Sequence, residues 1–223
     1  MTGDPPGFAL AICGCGRGRG QIAIAACPGR SCARPLAAAG DRQLERDTAT
    51  IARWGAQVLV TLLDSLELAR LRLQALPAQL ASHRISWHHL PLDSRQAPSP
   101  SFEHSWRGVA AQLAGVVRDG GRVAIHCRDG RTRAGMVAAL LLVELGCAPQ
   151  DAINRVRAAR PGSLDLPLQE DYIRAQTPTP RSADIYQLDL LEAGGAAAQL
   201  ESLHTGVTLP AAPPVAARYA LQR

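Results

Sequence analysis

The stretch Arg122–Leu145, RVAIHCRDGRTRAGMVAALLLVEL, decides how this chain is read. It opens on a short β-type apolar run and passes through His126-Cys127 into a polar loop containing Gly130. It continues through Arg133 into a segment, Met136 to Leu145, that is apolar nearly all round. A helix of that kind is buried on every side and belongs at the centre of its domain. In a strand, tight loop and helix, the loop N–H groups and the free N–H groups of the helix's first turn converge on one point, and an anion site results. Gly130 supplies a backbone position without a Cβ, which so tight a loop requires. Arg133 opens the helix, where its planar fork can take two oxygens of a phosphate. Cys127 sits where the dipoles converge, and they favour its thiolate, the nucleophilic form. The spacing predicts an attacking thiolate beneath a bound tetrahedral oxyanion, which is nucleophilic phosphoryl transfer without a metal.

Outward from this segment, strands alternate with helices. Residues 8–13 and 21–26 are apolar runs around a Gly-rich loop, Gly14 to Gly20, and predict two joined strands. A helix is predicted over 41–55 with Asp41 capping its start, and a doubly buried strand over 57–63. Asp64, with Glu67 three residues on, opens a helix along Leu66, Leu68, Leu71 and Leu73. Residues 84–90 predict a further strand. Phe102, Trp106, Val109, Leu113 and Val116 form one face of an amphipathic helix that ends at Asp119-Gly120-Gly121. Arg122–His126 is the next strand. Gly146 caps the central helix, a helix opens at Pro149 and Asp151, and a last one covers Leu168 to Ala175. The fold class expected is α/β: three layers, with a central, mainly parallel sheet of four or five strands flanked by helices. The organisation expected is a disordered N-terminus over 1–7, one domain over 8–176, and an Ala-, Pro- and Gly-rich extension over 177–223, partly disordered or packed on the domain.

Composition sets the outer bounds. With 47% hydrophobic and 19% charged residues among 223, a packed core forms and global disorder is excluded. All 24 basic residues are Arg, and they are scattered along the chain, so the net charge of +5 does not mark a nucleic-acid surface. Six cysteines are too few for a disulfide scaffold. No apolar run reaches the roughly 18 residues of a membrane span, and Met1–Gly7 lacks the charged and apolar regions of a signal peptide. A soluble, cytoplasmic protein with reduced thiols is expected, with no cofactor, no metal, no membrane and no nucleic-acid partner. Cys13, Cys15, Cys27 and Cys32 lack the paired C-x2-C spacing of common zinc sites, and Cys13 and Cys27 end apolar runs as core residues do. His88 and His89, adjacent on a strand, point to opposite faces and cannot share an ion. Gly14, Gly16 and Gly18 fail the dinucleotide fingerprint because Arg19 holds the third glycine position.

Ile125-His126-Cys127-Arg128-Asp129-Gly130-Arg131-Thr132-Arg133 resembles the HC-x5-R loop of cysteine-based protein phosphatases, and His89-Leu90-Pro91-Leu92-Asp93 resembles the general-acid loop of their dual-specificity members. Cys27-Pro28-Gly29, Trp54-Gly55-Ala56 and Arg160-Pro161-Gly162 through Gln169-Glu170-Asp171-Tyr172 resemble the kinase-associated phosphatase branch and its bacterial relatives. The resemblance covers roughly residues 8–175 and implies a dual-specificity phosphatase-like fold and a set of roles. Cys127 attacks phosphorus and becomes a phosphocysteine. Arg133 clamps the phosphoryl oxygens. Asp93 protonates the leaving oxygen and then takes a proton from water. Arg128, Asp129, Gly130, Arg131 and Thr132 form the phosphate-binding loop, and His126 orients it. The implied partner is a phosphoprotein or phosphopeptide. Two residues depart from the family pattern: Ala134 stands where Ser or Thr is common, and Asp129 where small residues are usual. The missing hydroxyl bears on release of the thiolate in the second step, while Asp129 is expected to point outward. The alternatives are a phosphatase for a non-protein phosphate such as a phosphoinositide or an RNA 5′-phosphate, motivated by Arg128 and Arg131, a phosphate-binding pseudophosphatase, favoured by Ala134, and a sulfur- or arsenate-handling cysteine enzyme, which leaves Asp93 unexplained.

Overall fold

The structure, a computed structural model, describes residues 8–14, 20–29, 37–93 and 98–178, with the backbone alone over 37–42. In chain order the elements are β1 (Leu10–Gly14), β2 (Gln21–Ala25), α1 (Ala37–Arg53), β3 (Val58–Thr61), α2 (Ser65–Arg70), α3 (Leu76–Ser82), β4 (Ser86–His89), α4 (Pro100–Arg118), β5 (Arg122–His126), α5 (Thr132–Glu144), α6 (Pro149–Ala159) and α7 (Pro167–Arg174). The five strands form one sheet in the order β1-β2-β5-β3-β4. β1 runs antiparallel to β2, and the other three pairings are parallel. The mainly parallel α/β sheet expected from the sequence is the one observed, with β1 as its single antiparallel edge.

Strand β5 holds the middle of the sheet, and Val123, Ala124, Ile125 and His126 are fully buried in it. Its residues alternate between two cores. Val123 and Ile125 face the cluster filled by α4, α5, α6 and α7, with Leu113, Val137, Leu141, Ile153 and Ile173. Ala124 faces the second cluster, with Leu44 and Ile51 of α1, Leu76 and Leu80 of α3, and Leu59 of β3. Every residue of α5 from Arg133 to Val143 is buried, which is why that helix carries no polar stripe. Cys13 and Cys27 are buried core residues as expected, one in each cluster. Cys15 and Cys32 lie outside the described residues, as do the terminal segments 1–7 and 179–223 and the residues 15–19 between β1 and β2.

Two elements differ from the sequence expectation. Helix α1 begins at Ala37, so Asp41 lies inside it and not at its start; Ala37, Ala38 and Ala39 are the best helix formers and carry the helix upstream of the polar signal. The leucine spacing after Asp64 is not one helix. Helix α2 ends at Arg70, Arg72 takes a positive φ of 55°, and α3 starts afresh at Leu76 with Pro77 in its first turn. Among the described residues no helix is long and apolar enough to cross a membrane, and no group of three His, Cys, Asp or Glu is placed to hold a metal ion.

The loop after β5 turns back over the end of β2. Gly130 has φ +65°, and a Cβ there would lie 2.5 Å from both the carbonyl oxygen of Ala25 and the amide nitrogen of Ala26. Gly108, in the exposed middle of α4, meets nothing within 4 Å. Gly130→Ala should therefore destabilise the protein by about 2–4 kcal/mol in urea unfolding, whereas Gly108→Ala should stabilise it by about 0.5–1 kcal/mol. Equal effects at the two positions would show that the loop can move off β2.

Candidate active site

The parallel strands β2, β5, β3 and β4 end at the same edge of the sheet, where ligands bind in open α/β folds. Cys127 follows the last residue of β5 and is buried to 3% exposure. The loop Arg128–Arg131 rises from it and enters α5 at Thr132. Arg128, Asp129 and Arg131 are exposed, so Asp129 stands outward as expected. The loop is held from both sides: the Cys27 N–H donates to the Arg128 carbonyl at 3.2 Å, and Arg160 Nη2 donates to the Asp129 carbonyl at 3.2 Å. Thr132 Oγ1 donates to Asp165 Oδ1 at 3.2 Å, which commits the hydroxyl nearest in sequence to Ala134 to a different partner. Ala134 itself is fully buried in the α5 core.

Arg133 is the centre of the site. Its side chain is 6% exposed, and its guanidinium makes a bidentate pair with Glu67: Nη1 to Oε2 at 2.6 Å and Nη2 to Oε1 at 2.8 Å. Nη1 also donates to the carbonyls of Leu62 and Leu92, each at 3.2 Å. These bonds consume the Nη1 side of the fork. Nε–H and the second Nη2 hydrogen make no hydrogen bond among the described residues, and they form the other parallel edge, shaped for two oxygens of a phosphate. Burial works against the charge of Arg133; the Glu67 bond, with the charges of Cys127, Glu67 and Asp64, outweighs it and raises the guanidinium above its ordinary range. The same bond holds the Glu67 carboxyl below its ordinary value against partial burial, helped by the Asp64 N–H and by the charges of Arg133 and Arg128.

Glu67 is fixed before it meets Arg133. Asp64 and Glu67 form a capping box at the start of α2, in which Glu67 N–H donates to Asp64 Oδ1 at 2.7 Å and Asp64 N–H to Glu67 Oε2 at 3.1 Å. The D-x-x-E pattern was readable as a helix start; its second duty toward an arginine 66 residues later was not. The Leu92 contact is equally informative, because Leu92 precedes Asp93. One guanidinium hydrogen thus ties the Asp93 loop to the Cys127 loop, as their common position at the carboxyl ends of β4 and β5 predicted. Asp93 is exposed at this edge. His126 is fully buried behind the loop. Burial lowers its pKa to about 4, the charges of Arg133 and His89 act in the same direction, and its bond to Cys127 only partly offsets them. The imidazole is neutral at neutral pH.

Residues 34–173 match the family model for the Swiss Army Knife protein DSP-PTPase phosphatase domain. The chain belongs to this dual-specificity phosphatase family. It is similar to cyclin-dependent kinase inhibitor 3 of Rattus norvegicus, 28% identical over 135 residues, or 59% of this chain and 62% of that protein. The Mus musculus protein of the same name is 27% identical over 134 residues, with the same two shares. The chain thus spans less than two thirds of the curated relatives it matches. Among solved structures it resembles kinase associated phosphatase with its catalytic-site cysteine changed to serine, at TM-score 0.64 and 22% identity, covering 76% of this chain and 94% of that one. It also resembles Tk-PTP in its active form, at TM-score 0.54 and 22% identity, covering 74% and 97%. These likenesses show a shared fold.

The structure brings Cys127, the 128–132 loop, Arg133 and the Asp93 segment together, with His126 behind them. It adds Glu67, which the sequence reading had given only a helix start, and Thr61 and Trp87, which it had not singled out. Because the folded-state carboxyl of Glu67 is lowered from an ordinary 4.5, its contribution is present above that value and lost as pH falls through the lowered one. Glu67→Gln should therefore destabilise the protein most at neutral pH, with the gap from wild type closing as the pH drops below about 4.5. Urea unfolding at a series of pH values measures this, and a gap independent of pH would show that the pair contributes no charge-dependent stability.

Proposed function

We propose that this chain is a metal-independent phosphomonoesterase of the protein-tyrosine and dual-specificity type, acting through a phosphocysteine on Cys127. The observation that carries the reading is the open Nε/Nη2 edge of Arg133 at the head of α5, close enough to Cys127 for their charges to interact and next to the loop that follows it. In the first step the Cys127 thiolate bonds to phosphorus while the ester P–O bond breaks, and Asp93 gives its proton to the departing oxygen. In the second, water attacks phosphorus, Asp93 takes a proton from that water, and the P–S bond breaks to return the thiolate. Arg133 holds two phosphoryl oxygens throughout. The named relatives point to phosphoproteins as substrates, and a reactive thiol of this kind belongs in a reducing compartment such as the cytoplasm.

Cys127→Ser should abolish hydrolysis of an aryl phosphate in the presence of chelator while keeping affinity for the ester, since the serine hydroxyl stays protonated. Asp93→Asn should slow phenyl phosphate about 10²–10⁴-fold and an activated aryl phosphate far less, because a good leaving group needs no proton. Near-wild-type turnover by the serine variant would overturn the assignment. Parallel rates on phosphotyrosine peptides, inositol lipids and 5′-phosphorylated RNA would reassign the substrate if either of the last two were preferred.

Ala134 yields a kinetic expectation. The thiolate leaving phosphorus lacks a hydroxyl donor at 134, and Thr132 is engaged by Asp165. A hydrogen bond to a charged group is worth about 1.5–3 kcal/mol, or roughly ten- to a hundredfold in rate. The wild type should show a pre-steady-state burst on an activated aryl phosphate, and Ala134→Ser should raise kcat and shrink the burst. Absence of the burst in stopped flow would mean that the first step limits turnover.

A further inference from the structure

Tyr172 of α7 donates its O–H to Glu103 Oε1 of α4 at 3.1 Å, a bond between residues 69 positions apart in the chain. Each of these helices continues a segment of the candidate site. Helix α7 follows the residues that hold the loop after Cys127: Arg160 bonds the Asp129 carbonyl, and Asp165 accepts from Thr132. Helix α4 follows the Asp93 segment and packs back on it. Phe102, in the first turn of α4, is 2% exposed and lies in the same core as Leu90 and Leu92, the residues that lead into Asp93.

Neither end of the bond is loose. Glu170 of α7 accepts Arg157 Nη2 of α6 at 2.7 Å and also pairs with Arg174, and Arg157 Nη2 donates to the Leu164 carbonyl at 2.8 Å just ahead of α7. At the other end, Ser99 Oγ accepts the Phe102 N–H at 3.2 Å and Pro100 opens the helix. The Phe102 and Trp106 rings lie parallel with centroids 6.4 Å apart. Phe102 and Glu103 are consecutive in one helical turn, so the residue that packs with the Asp93 segment and the residue that reaches α7 move together. Burial, then the bond and charge of Glu103, push the Tyr172 phenol up to about 12 against the opposite pull of Arg107, and its O–H is a donor at neutral pH.

We propose that Tyr172 and Glu103 are positioning residues for the general acid: their bond pins the first turn of α4 to the anchored α7, and Phe102 carries that restraint to Leu90 and Leu92 and so to Asp93. Arg133 supplies a separate restraint on the same segment through the Leu92 carbonyl. Without the Tyr172 bond the first turn of α4 opens more readily, as helix ends do. An acid set slightly out of place still ionises, but it delivers its proton less well. The pair touches neither substrate nor reacting atoms, and its role rests on the phosphatase reading in which Asp93 is the acid.

Two readouts on the full chain test it. The first is kcat/KM on phenyl phosphate and on an activated aryl phosphate, which reports the steps through P–O cleavage and not the later release of the thiolate. Tyr172→Phe removes the donor and Glu103→Ala the acceptor, while Glu103→Gln keeps an acceptor oxygen. Tyr172→Phe and Glu103→Ala should each lower kcat/KM for phenyl phosphate about three- to tenfold, the worth of one hydrogen bond, and for the activated ester by less than about twofold. The two changes together should cost no more than either alone, Glu103→Gln should stay near wild type, and Tyr172→Phe should cost nothing further in an Asp93→Asn background. The second readout needs no turnover: amide hydrogen exchange over residues 86–93, followed by mass spectrometry, should quicken in Tyr172→Phe and Glu103→Ala and stay unchanged in Gly108→Ala on the same helix. Equal losses on both esters, no loss in either variant, or exchange unmoved in both would overturn the proposal. Should one variant fail to fold, the other decides. Failure of the acid assignment itself shows as an Asp93→Asn variant that treats the two esters alike, whereas the exchange still reports the Tyr172 bond, so the two failures are distinguishable.

Discussion

An arginine side chain that is 6% exposed needs acceptors for its charge, and the arrangement of this domain around its site follows from supplying them to one edge of Arg133. Its partners come from two connections: Leu62 just after β3 with Glu67 at the head of the α2 that follows it, and Leu92 three residues after β4. Arg133 itself belongs to the segment after β5. One side chain therefore gathers the carboxyl ends of three adjacent parallel strands. The carboxylate takes one edge of the fork, and the other edge remains for a ligand. Removing Glu67 leaves a buried cation facing two carbonyls, which is more costly than the loss of a surface ion pair.

The sheet divides labour between its faces. On the α5 side lie Cys127, Arg133 and the apolar helix that carries them, packed with Ile125, Val137 and Leu141. On the α1 and α3 side lie His126, Thr61, Trp87 and His89, bonded to one another and to the Leu63 carbonyl. The period of two in β5 imposes this division, because consecutive residues cannot point the same way. The strand itself thus separates the Cys127 side chain from this hydrogen-bonded cluster. Burial lowers the pKa of His126 to about 4 and keeps its ring neutral at neutral pH.

The turn at Gly130 is the second fixed point. Its positive φ and its approach to the Ala25 and Ala26 backbone press the loop against the end of β2, while Cys27 and Arg160 bind the loop's carbonyls. An amide-lined anion site must hold its N–H groups still in the absence of the anion. Here that stiffness comes from strand β2 on one side and the segment after α6 on the other. Elsewhere α1 anchors its own neighbourhood: the buried Asp47 carboxylate accepts the Gly29 N–H at 2.7 Å and Gln43 Nε2 at 2.7 Å, with burial the larger influence in raising its pKa.

The sequence by itself determined the loop 127–131, the strand before it and the buried helix after it, because His126, Cys127, Gly130 and Arg133 lie within eight consecutive residues and local geometry links them. It also determined the α/β class, since the alternation of apolar runs with amphipathic segments depends only on periodicity, and strand 122–126 and helix 149–159 fall where their signals stand. The ends of α1 and the break between α2 and α3 were less legible: the alanines before Asp41 outweighed the cap, and Arg72 turned where leucine spacing ran on. Only the tertiary structure decided who partners whom across the sheet. Glu67 reaches Arg133 because β3 lies next to β5; Thr61 reaches His126 because the register sets them side by side; and Leu92 reaches Arg133 because β4 lies beyond β3. Strand order and register are properties of the assembled sheet, so a chain read along its length shows Asp64-x-x-Glu67 as a helix start and Thr61 as one residue within an apolar strand, while their contacts with Arg133 and His126 exist only where distant segments meet.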